Sequence, residues 1–359
     1  MRILHVLNDI RELGNGIVNV AVDLACSQAK LGYEVSVASA GGEYETLLAK
    51  YGITHFYLNQ QRRPVQLFQA MRHYQHIIQM VQPDIVHAHM MTGVVLARLF
   101  RNNCPYILVS TVHNEFQPSS ILMGFADRVI AVSHAVAQSM ANRGIPWHKL
   151  RVVHNGTIDS PRLRRFEATD LPVLQHPAIT TVAGMTERKG IAELIDAFIQ
   201  IAPCFPTAHL YLVGNGPDIA QFQQQAQASS FCDRIHFEGF QPNPLRYLQS
   251  TDVFVLASRR EPFGLVLSEA REAGCAIVAS QVDGIPEALE HGKAGILIPP
   301  KNKGAIATAL QTLLEQPQAL NYWQQQAKLN LEWLSVSRMS RDTLAVYREL
   351  VSVPQGLLG

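Results

Sequence analysis

Cysteine is scarce in this sequence, and no two cysteines form a CxxC pair. Five cysteines are spread over 359 residues: Cys26, Cys104, Cys204, Cys232 and Cys275. An even set of cysteines at short spacings would indicate a disulfide scaffold or a zinc site. The odd number and the wide spacing instead predict separate, reduced and buried thiols.

Charged residues are also few, and their signs balance. Only 16% of the residues are charged, and 30 Lys and Arg face 29 Asp and Glu, which gives a formal net charge of +1. Because proteins that bind nucleic acid usually carry a basic field, we expect no nucleic-acid partner. The hydrophobic share of 47% is enough for large cores, and the length is typical of about two domains.

Long apolar runs are missing as well. Asp9 interrupts the first apolar segment well before it reaches the length of a signal peptide. No other run approaches the roughly 18 apolar residues that a membrane span requires. We therefore expect a cytoplasmic protein.

One stretch of the chain is nevertheless basic. Between Thr46 and Asn114 the only acid is Asp84, against six Lys and Arg. Residues 60–80 combine some of these cations with apolar residues at helical spacing. This pattern indicates either an amphipathic helix that faces the core or peripheral contact with the inner face of a membrane.

Short apolar runs alternate with helical patterns along most of the chain. The first half contains ILHVLN, YEVSVASA, PDIVHAH, YILVSTVH and RVIAVS, and the second half contains ITTVAG, HLYLVGNG, RIHFEGF, DVFVLAS, CAIVAS and GILIPP. Parallel strands need long crossovers and a cover of helices on both faces. The pattern predicts two doubly wound, Rossmann-like α/β domains that face each other across a cleft, with ligands beyond the carboxyl ends of the strands.

A proline-containing stretch without periodicity separates the two halves. We predict an N-terminal domain over residues 1–160, a linker over 161–177 and a C-terminal domain over 178–335. A helical tail over 336–359 is expected to pack back toward the N-terminal domain.

The segment EPFGLVLSEA follows a predicted strand and carries Glu261 and Glu269. With a helix beginning between them, their Cα atoms can be up to roughly 12 Å apart, whereas glycoside hydrolases hold two carboxylates about 5 to 9.5 Å apart across one bond. The free amides of Gly264, Leu265 and Val266 would form a helix N-terminus that favours phosphate. The order of groups fits the sugar, diphosphate and ribose of one extended ligand. A capped amphipathic helix with a solvated acid is the alternative.

This segment closely resembles the glutamate pair of the family 4 glycosyltransferases. Other segments follow in the order of that family: the early glycine loop, STVHNEF, AVSHAVAQS, VVHNGTID, RKGIAELIDAF, LVGNGP, FEGF and GIPEAL. The resemblance implies the GT-B fold and a retaining enzyme, most simply a hexosyltransferase, that moves a sugar from a nucleotide diphosphate sugar to a glycan, lipid-linked or small-molecule acceptor. It also implies that the first domain holds the acceptor and the second the nucleotide sugar.

The resemblance also implies roles for individual residues. Glu261, His113 and Lys189 become the catalytic candidates, at the sugar hydroxyls, the reacting centre and the departing diphosphate respectively. The implied donor-binding set is Gly14, Gly16, Arg188, Lys189, Gly214, Phe240, Glu261, Phe263, Gly264, Leu265, Val266 and Glu269. Related enzymes carry an arginine five residues before the lysine, where this chain has Gly184. Arg188 is the candidate replacement, and a merely solvated Arg188 is the alternative.

We expect no metal and no permanently bound cofactor. The sequence has no DxD pair to hold a divalent cation, and His87 and His89 share a strand face without a carboxylate ligand set other than Asp84. Two other functions stay open. A nucleotide-sugar epimerase on the same scaffold would convert the donor without an acceptor, and a degenerate two-domain clamp would bind the nucleotide sugar without chemistry.

Overall fold

The computed structural model describes residues 1–61, 63–101, 104–162 and 172–351. The chain forms two compact units, one of Met1–Leu163 with Trp333–Gly359 and one of Arg164–Glu332. The predicted linker and the predicted tail lie partly outside the described residues, at 163–171 and 352–359.

The first unit is built on a parallel seven-stranded sheet in the order β3-β2-β1-β4-β5-β6-β7. Its strands are β1 (Arg2–Val6), β2 (Glu34–Ser39), β3 (Thr54–Tyr57), β4 (Ile85–Ala88), β5 (Ile107–Val112), β6 (Arg128–Ala131) and β7 (Leu150–Val152). The helices between them are α1 (Gly16–Lys30), α2 (Glu45–Lys50), α3 (Pro64–Val81), α4 (Met91–Phe100) and α5 (His134–Asn142).

The second unit is built on a parallel six-stranded sheet in the order β10-β9-β8-β11-β12-β13. Its strands are β8 (Ala178–Val182), β9 (His209–Val213), β10 (Ile235–Gly239), β11 (Val253–Leu256), β12 (Ala276–Ser280) and β13 (Ile296–Ile298). Its helices are α6 (Ile191–Ile201), α7 (Ile219–Gln227), α8 (Leu245–Gln249), α9 (Leu265–Ala273), α10 (Ile285–Ala288), α11 (Lys303–Glu315) and α12 (Pro317–Ala327).

The last helix, α13 (Val336–Val351), belongs to the first unit and packs against α1. Tyr347 on this helix is fully buried, and its hydroxyl lies 2.6 Å from Nδ1 of His87. Arg338 donates hydrogen bonds to the carbonyl oxygens of His154 (2.9 Å) and Asn155 (3.1 Å). The end of the described chain is therefore fixed to the first unit by buried packing and by hydrogen bonds.

Both sheets change winding direction at one point. Strands run outward from β1 in one direction and from β4 in the other, and the second sheet repeats this at β8 and β11. Ligands of doubly wound folds bind beyond the carboxyl ends of the strands at such switch points. The prediction of two Rossmann-like parallel sheets is confirmed, and the fold places a candidate site at each switch point.

Most of the apolar runs form inner strands, because both faces of a parallel sheet are covered by helices, whereas RIHFEGF and GILIPP form the edge strands β10 and β13. Every residue of β9, β11 and β12 is buried. Among the described residues, no helix has both the length and the apolar character needed to cross a membrane.

The cysteines follow the prediction only in part. All five are free thiols, and Cys26 and Cys275 are buried. The expectation of burial is wrong for Cys204, which is exposed beyond the end of α6, and for Cys104 and Cys232, which are half-buried.

Candidate active site

The switch point of the second sheet brings Lys189 and Glu261 together. Strands β8 and β11 are neighbours with Ile179 opposite Val253, so the segments that follow them emerge at the same edge. Although 72 residues separate the two side chains in the chain, Nζ of Lys189 donates a hydrogen bond to Oε2 of Glu261. The pair is largely withdrawn from solvent.

Glu261 is held by several further bonds. Oγ of Ser258 donates to the same Oε2 at 3.2 Å. The backbone N–H of Glu261 donates to Oδ2 of Asp283 at 2.8 Å, and its carbonyl accepts from the N–H of Gly284 at 3.0 Å. The carboxylate therefore has a fixed position, as a group that orients a substrate requires.

Arg188 lies beside this pair. Its Nη1 is 4.0 Å from Oε2 of Glu261 and donates to the carbonyl oxygen of Arg260 at 2.9 Å. Steric crowding does not explain why residue 184 is a glycine, since a Cβ there would contact only the carbonyl oxygen of Asn215, at 3.9 Å. The structure thus brings Arg188 to the lysine–glutamate pair, and its role as the second cation stays a prediction.

One glycine allows the two loops to approach this closely. Gly190 has φ +68°, and a Cβ at this residue would lie 1.9 Å from the carbonyl oxygen of Ala257. Any side chain would push the loop after β8 away from the loop after β11. Gly190 is therefore required for the contact between Lys189 and Glu261.

Helix α9 begins at Leu265, four residues after Glu261. Its N-cap residue is Gly264 at φ +85°, which has no side chain to cap the first turn, so the first N–H groups remain for another acceptor. Leu265, Val266 and Glu269 lie on the partly exposed face of the helix, opposite the buried face. The residues predicted to bind the diphosphate and the ribose thus lie on one face of α9.

A buried arginine fixes the other end of α9. Arg271 donates to the carbonyl oxygens of Ala327 (3.1 Å), Ala288 (3.0 Å) and Leu329 (2.6 Å), and pairs with Glu290 at 2.6 Å. These acceptors satisfy a guanidinium that burial would otherwise penalise. The sequence pattern did not indicate this role.

The other donor-binding candidates of the second unit lie at the same edge of the sheet. Gly214 follows β9, and its N–H donates to the carbonyl oxygen of Gly239 at 2.7 Å. Phe240 follows β10 and is 40% exposed, whereas Phe263 is 2% exposed. Only the backbone of Phe263 can therefore meet a ligand, and the prediction for this residue is restricted to its backbone.

The first unit supplies the glycine loop after β1. Gly14 has φ +67°, and Gly16 is the first residue of α1. Asn15 caps the helix by accepting a hydrogen bond from the N–H of Ile17 at 3.1 Å. The loop lies at the switch point of the first sheet, where α1 begins.

His113 directly follows β5 at the same edge and joins a line of polar side chains. Its Nε2 is 3.1 Å from Nδ1 of His89. Nε2 of His89 is in turn 3.0 Å from Nδ1 of His5, and Nε2 of His5 is 2.8 Å from Oε1 of Gln28. The spacing of His87 and His89 was visible in the sequence, but His5 and Gln28 join them only through strand pairing and helix packing.

Burial keeps these imidazoles neutral. It lowers the pKa of His5 to about 4, although the hydrogen bond to Gln28 opposes the shift. It lowers the pKa of His113 to about 3 and holds the pKa values of His87 and His89 well below 6.5. At neutral pH each ring therefore carries one N–H donor and one lone pair.

The same cluster contains the residues of a possible cation site. His5, His87 and His89 offer nitrogen atoms that lie within 4.8 Å of one another. All six ring nitrogens already have a hydrogen-bond partner, those of His87 being Tyr347 (2.6 Å) and Thr111 (2.7 Å). A metal ion would need lone pairs that these bonds use, so the arrangement fits a hydrogen-bonded network of neutral rings.

Comparisons with known proteins agree with this architecture. The sequence model of Glycosyltransferase Family 4 matches residues 14–159, and that of Glycosyl transferases group 1 matches residues 169–330. HepE from Anabaena, solved in complex with UDP and glucose, superposes with a TM-score of 0.83 at 22% identity, covering 98% of this chain and 100% of that one.

Curated relatives share part of the sequence. The chain is 29% identical to the N-acetyl-alpha-D-glucosaminyl L-malate synthase of Bacillus anthracis over 53% of its own length and 51% of the relative. It is 30% identical to the alpha-maltose-1-phosphate synthase of Mycolicibacterium smegmatis over 63% of its length and 64% of the relative. The matched stretches thus span between half and two thirds of these relatives. The two family models match the two halves of the chain in order, and each half forms a doubly wound parallel sheet. The chain therefore belongs to the group 1 and family 4 glycosyltransferases and has their GT-B fold.

Proposed function

We propose that this protein transfers a sugar from a nucleotide diphosphate sugar to an acceptor, with retention of the anomeric configuration. The observation that supports this most directly is the Lys189–Glu261 pair, which lies at the switch point of the second sheet just before the uncapped start of α9. A cation, a carboxylate and a set of free amides suit a ligand with a diphosphate beside a polyhydroxyl group.

The leaving diphosphate would bind at the start of α9. The N–H groups of Leu265 and Val266 point along the helix axis, where the helix dipole favours an anion. Lys189 has three N–H donors and can hold Glu261 and a phosphate oxygen together, and Arg188 adds a second positive charge. These fixed donors stabilise the charge that grows on the diphosphate as the glycosidic bond breaks.

The remaining parts of the donor would lie on either side of the diphosphate. Glu261 keeps lone pairs for the sugar hydroxyls, while Glu269, further along the same helix, would accept from the ribose hydroxyls. Phe240 and the loop at Gly214 would cover the base. For the glycine loop after β1, in the first unit, the family resemblance implies a role in holding the diphosphate.

The transfer step needs no enzymatic nucleophile in this proposal. The bond from the anomeric carbon to the phosphate oxygen breaks, and its electron pair leaves with the diphosphate. The acceptor oxygen forms the new bond from the same face of the sugar, and its proton passes to a phosphate oxygen of the leaving group. Retention follows because attack and departure share one face.

HepE was solved with UDP and glucose, which makes UDP-sugars the first donors to test. Purified protein should be incubated with a panel of nucleotide sugars, with and without glycan, lipid-linked and small-molecule acceptors. We expect nucleoside diphosphate release that depends on the acceptor, and a product with the donor's anomeric configuration by NMR. Conversion of the donor alone to an isomer would favour an epimerase, and tight binding without turnover would favour a clamp.

We also propose that α3 contacts an anionic membrane surface at the inner face of the membrane. Val65 and Phe68 on this helix are 71% and 56% exposed, and the guanidinium of Arg72 lies 4.9 Å from the centre of the Phe68 ring. Ala70, Tyr74, Ile77 and Ile78 form the opposite, buried face. Of the proposed contact region 60–80, Arg62 lies outside the described residues.

A further inference from the structure

A continuous line of hydrogen bonds crosses the first unit and joins Gln28, His5, His89 and His113. The contacts measure 2.8 Å, 3.0 Å and 3.1 Å from Gln28 outward. Gln28, His5 and His89 are buried, and His113 lies where β5 ends. We propose that Gln28, acting through His5 and His89, sets which ring nitrogen of His113 carries the proton. The three buried residues are thus positioning residues for His113.

The contacts of Tyr347 determine which atoms of the line donate and which accept. Its hydroxyl lies 2.6 Å from Nδ1 of His87, a length typical of an O–H donor and short for an N–H donor. A tyrosine hydroxyl has one hydrogen, so this bond uses it. The Gln28 amide group that faces Tyr347 at 3.5 Å must then be the NH₂ donor, which leaves Oε1 of Gln28 facing His5.

The carbonyl oxygen of Gln28 only accepts hydrogen bonds, so Nε2 of His5 carries the proton. A neutral imidazole has one donor and one acceptor. Nδ1 of His5 therefore accepts from Nε2–H of His89, and Nδ1 of His89 accepts from Nε2–H of His113. The lone pair of His113 then lies on Nδ1.

The opposite order would need changes at several groups. The Gln28 amide would have to turn over, and Tyr347 would give its only hydrogen to Gln28 across the longer contact. His87 would then have to donate from Nδ1 and accept from Thr111, its partner at 2.7 Å. In the order that begins with Tyr347 as a donor to His87, Nε2–H of His87 donates to the Thr111 hydroxyl, so Thr111 supports this order as an acceptor.

The order has a consequence for the sugar transfer. With its lone pair on Nδ1, His113 can accept a hydrogen bond from a hydroxyl of the donor sugar, whereas the other tautomer would present an N–H there. This use of His113 rests on the proposed function. The order of the protons within the line does not.

The order can be measured by NMR on protein labelled with ¹⁵N in its histidine rings, with the His113 signals assigned from a His113→Asn variant. We expect wild-type His113 to carry its proton on Nε2. In Gln28→Met, which keeps the side-chain length but removes the amide, a second His113 tautomer should appear. Ser110→Ala is the matched control: it also removes a buried polar group of β5, but the Ser110 hydroxyl donates to the carbonyl oxygen of Met123 at 2.9 Å and lies outside the line. We expect it to leave the His113 tautomer unchanged.

Several results would overturn the proposal. A wild-type His113 with its proton on Nδ1 would do so, as would an unchanged His113 tautomer in folded Gln28→Met. Stoichiometric metal in the purified protein would do so too, because the metal would occupy the lone pairs of the line. If Gln28→Met fails to fold, the wild-type spectrum still tests the proposed order of protons.

Activity separates this proposal from the proposed function. In Gln28→Met, kcat/KM should fall in proportion to the remaining fraction of the Nε2–H tautomer, about two-fold or more. Ser110→Ala should keep wild-type kcat/KM. A shifted tautomer with unchanged kcat/KM would leave the proton order intact and remove His113 from the proposed reaction.

Discussion

Glu261 is the residue on which the proposed chemistry depends most. Ser258 and Lys189 both donate to one oxygen of its carboxylate. Glu261→Gln keeps the shape of the side chain but removes the negative charge that faces Lys189. We expect kcat to fall by about 10², the usual effect of removing one preorganised polar group from an active site. Initial rates over a range of donor concentrations would measure this.

Glu187→Gln is a matched control for this change. Glu187 lies in the same turn as Lys189, its side chain is 76% exposed, and it pairs with Arg259. Exposed ion pairs contribute little to stability, so this variant should keep near wild-type kcat. Equal turnover by Glu261→Gln and the wild type would contradict the assignment.

The neutral histidines of the first unit should make its stability dependent on pH. Their pKa values are lowered in the folded state, to about 4 for His5 and about 3 for His113, from 6.5. Between these values the unfolded chain binds more protons than the folded chain, so the free energy of unfolding falls as pH drops below about 6.5. Each such group contributes up to about 1.4 kcal/mol per pH unit. Calorimetry at pH 7.5, 6.5 and 5.5 would measure the trend.

Two variants test whether the buried imidazoles cause this trend. His5→Phe replaces one buried imidazole with a ring that cannot be protonated, so the loss of stability per pH unit should decrease by about one proton's contribution. Leu4→Ala on β1 removes buried apolar volume but no titrating group, so it should lower the stability at every pH and leave the slope as it is. A first unit whose stability is the same at pH 7.5 and 5.5 would show that the rings are not buried as neutral groups.

The candidate site was only partly predictable from single residues. Lys189 and Glu261 could be named because each lies in a recognisable segment after a predicted strand. Phe263 lies in the same segment, yet its ring turns into the core, which letters alone do not indicate. Gln28 and His5 belong to ordinary apolar elements, and only the packing of α1 on the sheet connects them to His113.

At the scale of elements, the inner strands were predictable and two edge strands were not. The six apolar runs of the second half each form one strand. Four of them are inner strands, which are buried on both faces, and RIHFEGF and GILIPP form the edge strands β10 and β13. Strands β3 and β7 have four and three residues and lie at the two edges of the first sheet. An edge strand needs no continuous apolar run, and THFY has none.

Helix α3 carries the prediction that belongs to this scale. Its exposed Phe68 and Arg72 combine an apolar side chain with a cation, as helices that lie on anionic membranes do. Phe68→Ser should weaken sedimentation with vesicles that contain anionic lipid, because it removes apolar area from the contact. Arg72→Gln should also weaken sedimentation with these vesicles, most strongly at low salt, where charge attraction is least screened.

Leu31→Ser provides the control for α3. Leu31 is 54% exposed at the end of α1, so this variant also removes an exposed leucine-sized group from the first unit. We expect vesicle binding to be unchanged in Leu31→Ser. Equal binding by the wild type and Phe68→Ser would indicate that α3 is an amphipathic helix with a solvated basic face.

At the scale of the whole molecule, the chain returns to its first unit after completing the second. Helix α13 packs on α1, and Tyr347 contributes to the hydrogen bonds of His87 and Gln28. Local patterns indicated a helical tail, but a pattern cannot specify which distant surface a helix covers. Each unit has its own core, so the two can unfold in separate transitions.

If the second unit holds the nucleotide, UDP should raise the unfolding temperature of that unit. A ligand that binds only the folded state stabilises it by about 2.7 kcal/mol at 100 times its Kd. Two matched substitutions identify the transitions in a calorimetric scan: Leu4→Ala on β1 and Leu212→Ala on β9, both at fully buried positions. Each should lower the transition of its own unit by about 2–5 kcal/mol of unfolding free energy.

We expect UDP to raise the transition that Leu212→Ala lowers. Lys189→Ala should abolish much of that increase, because it removes the cation proposed to bind the diphosphate, while UMP should stabilise less than UDP since it lacks the second phosphate. An increase confined to the transition that Leu4→Ala lowers would place the nucleotide in the first unit. That result would remove the Lys189–Glu261 pair from donor binding, even for an active transferase.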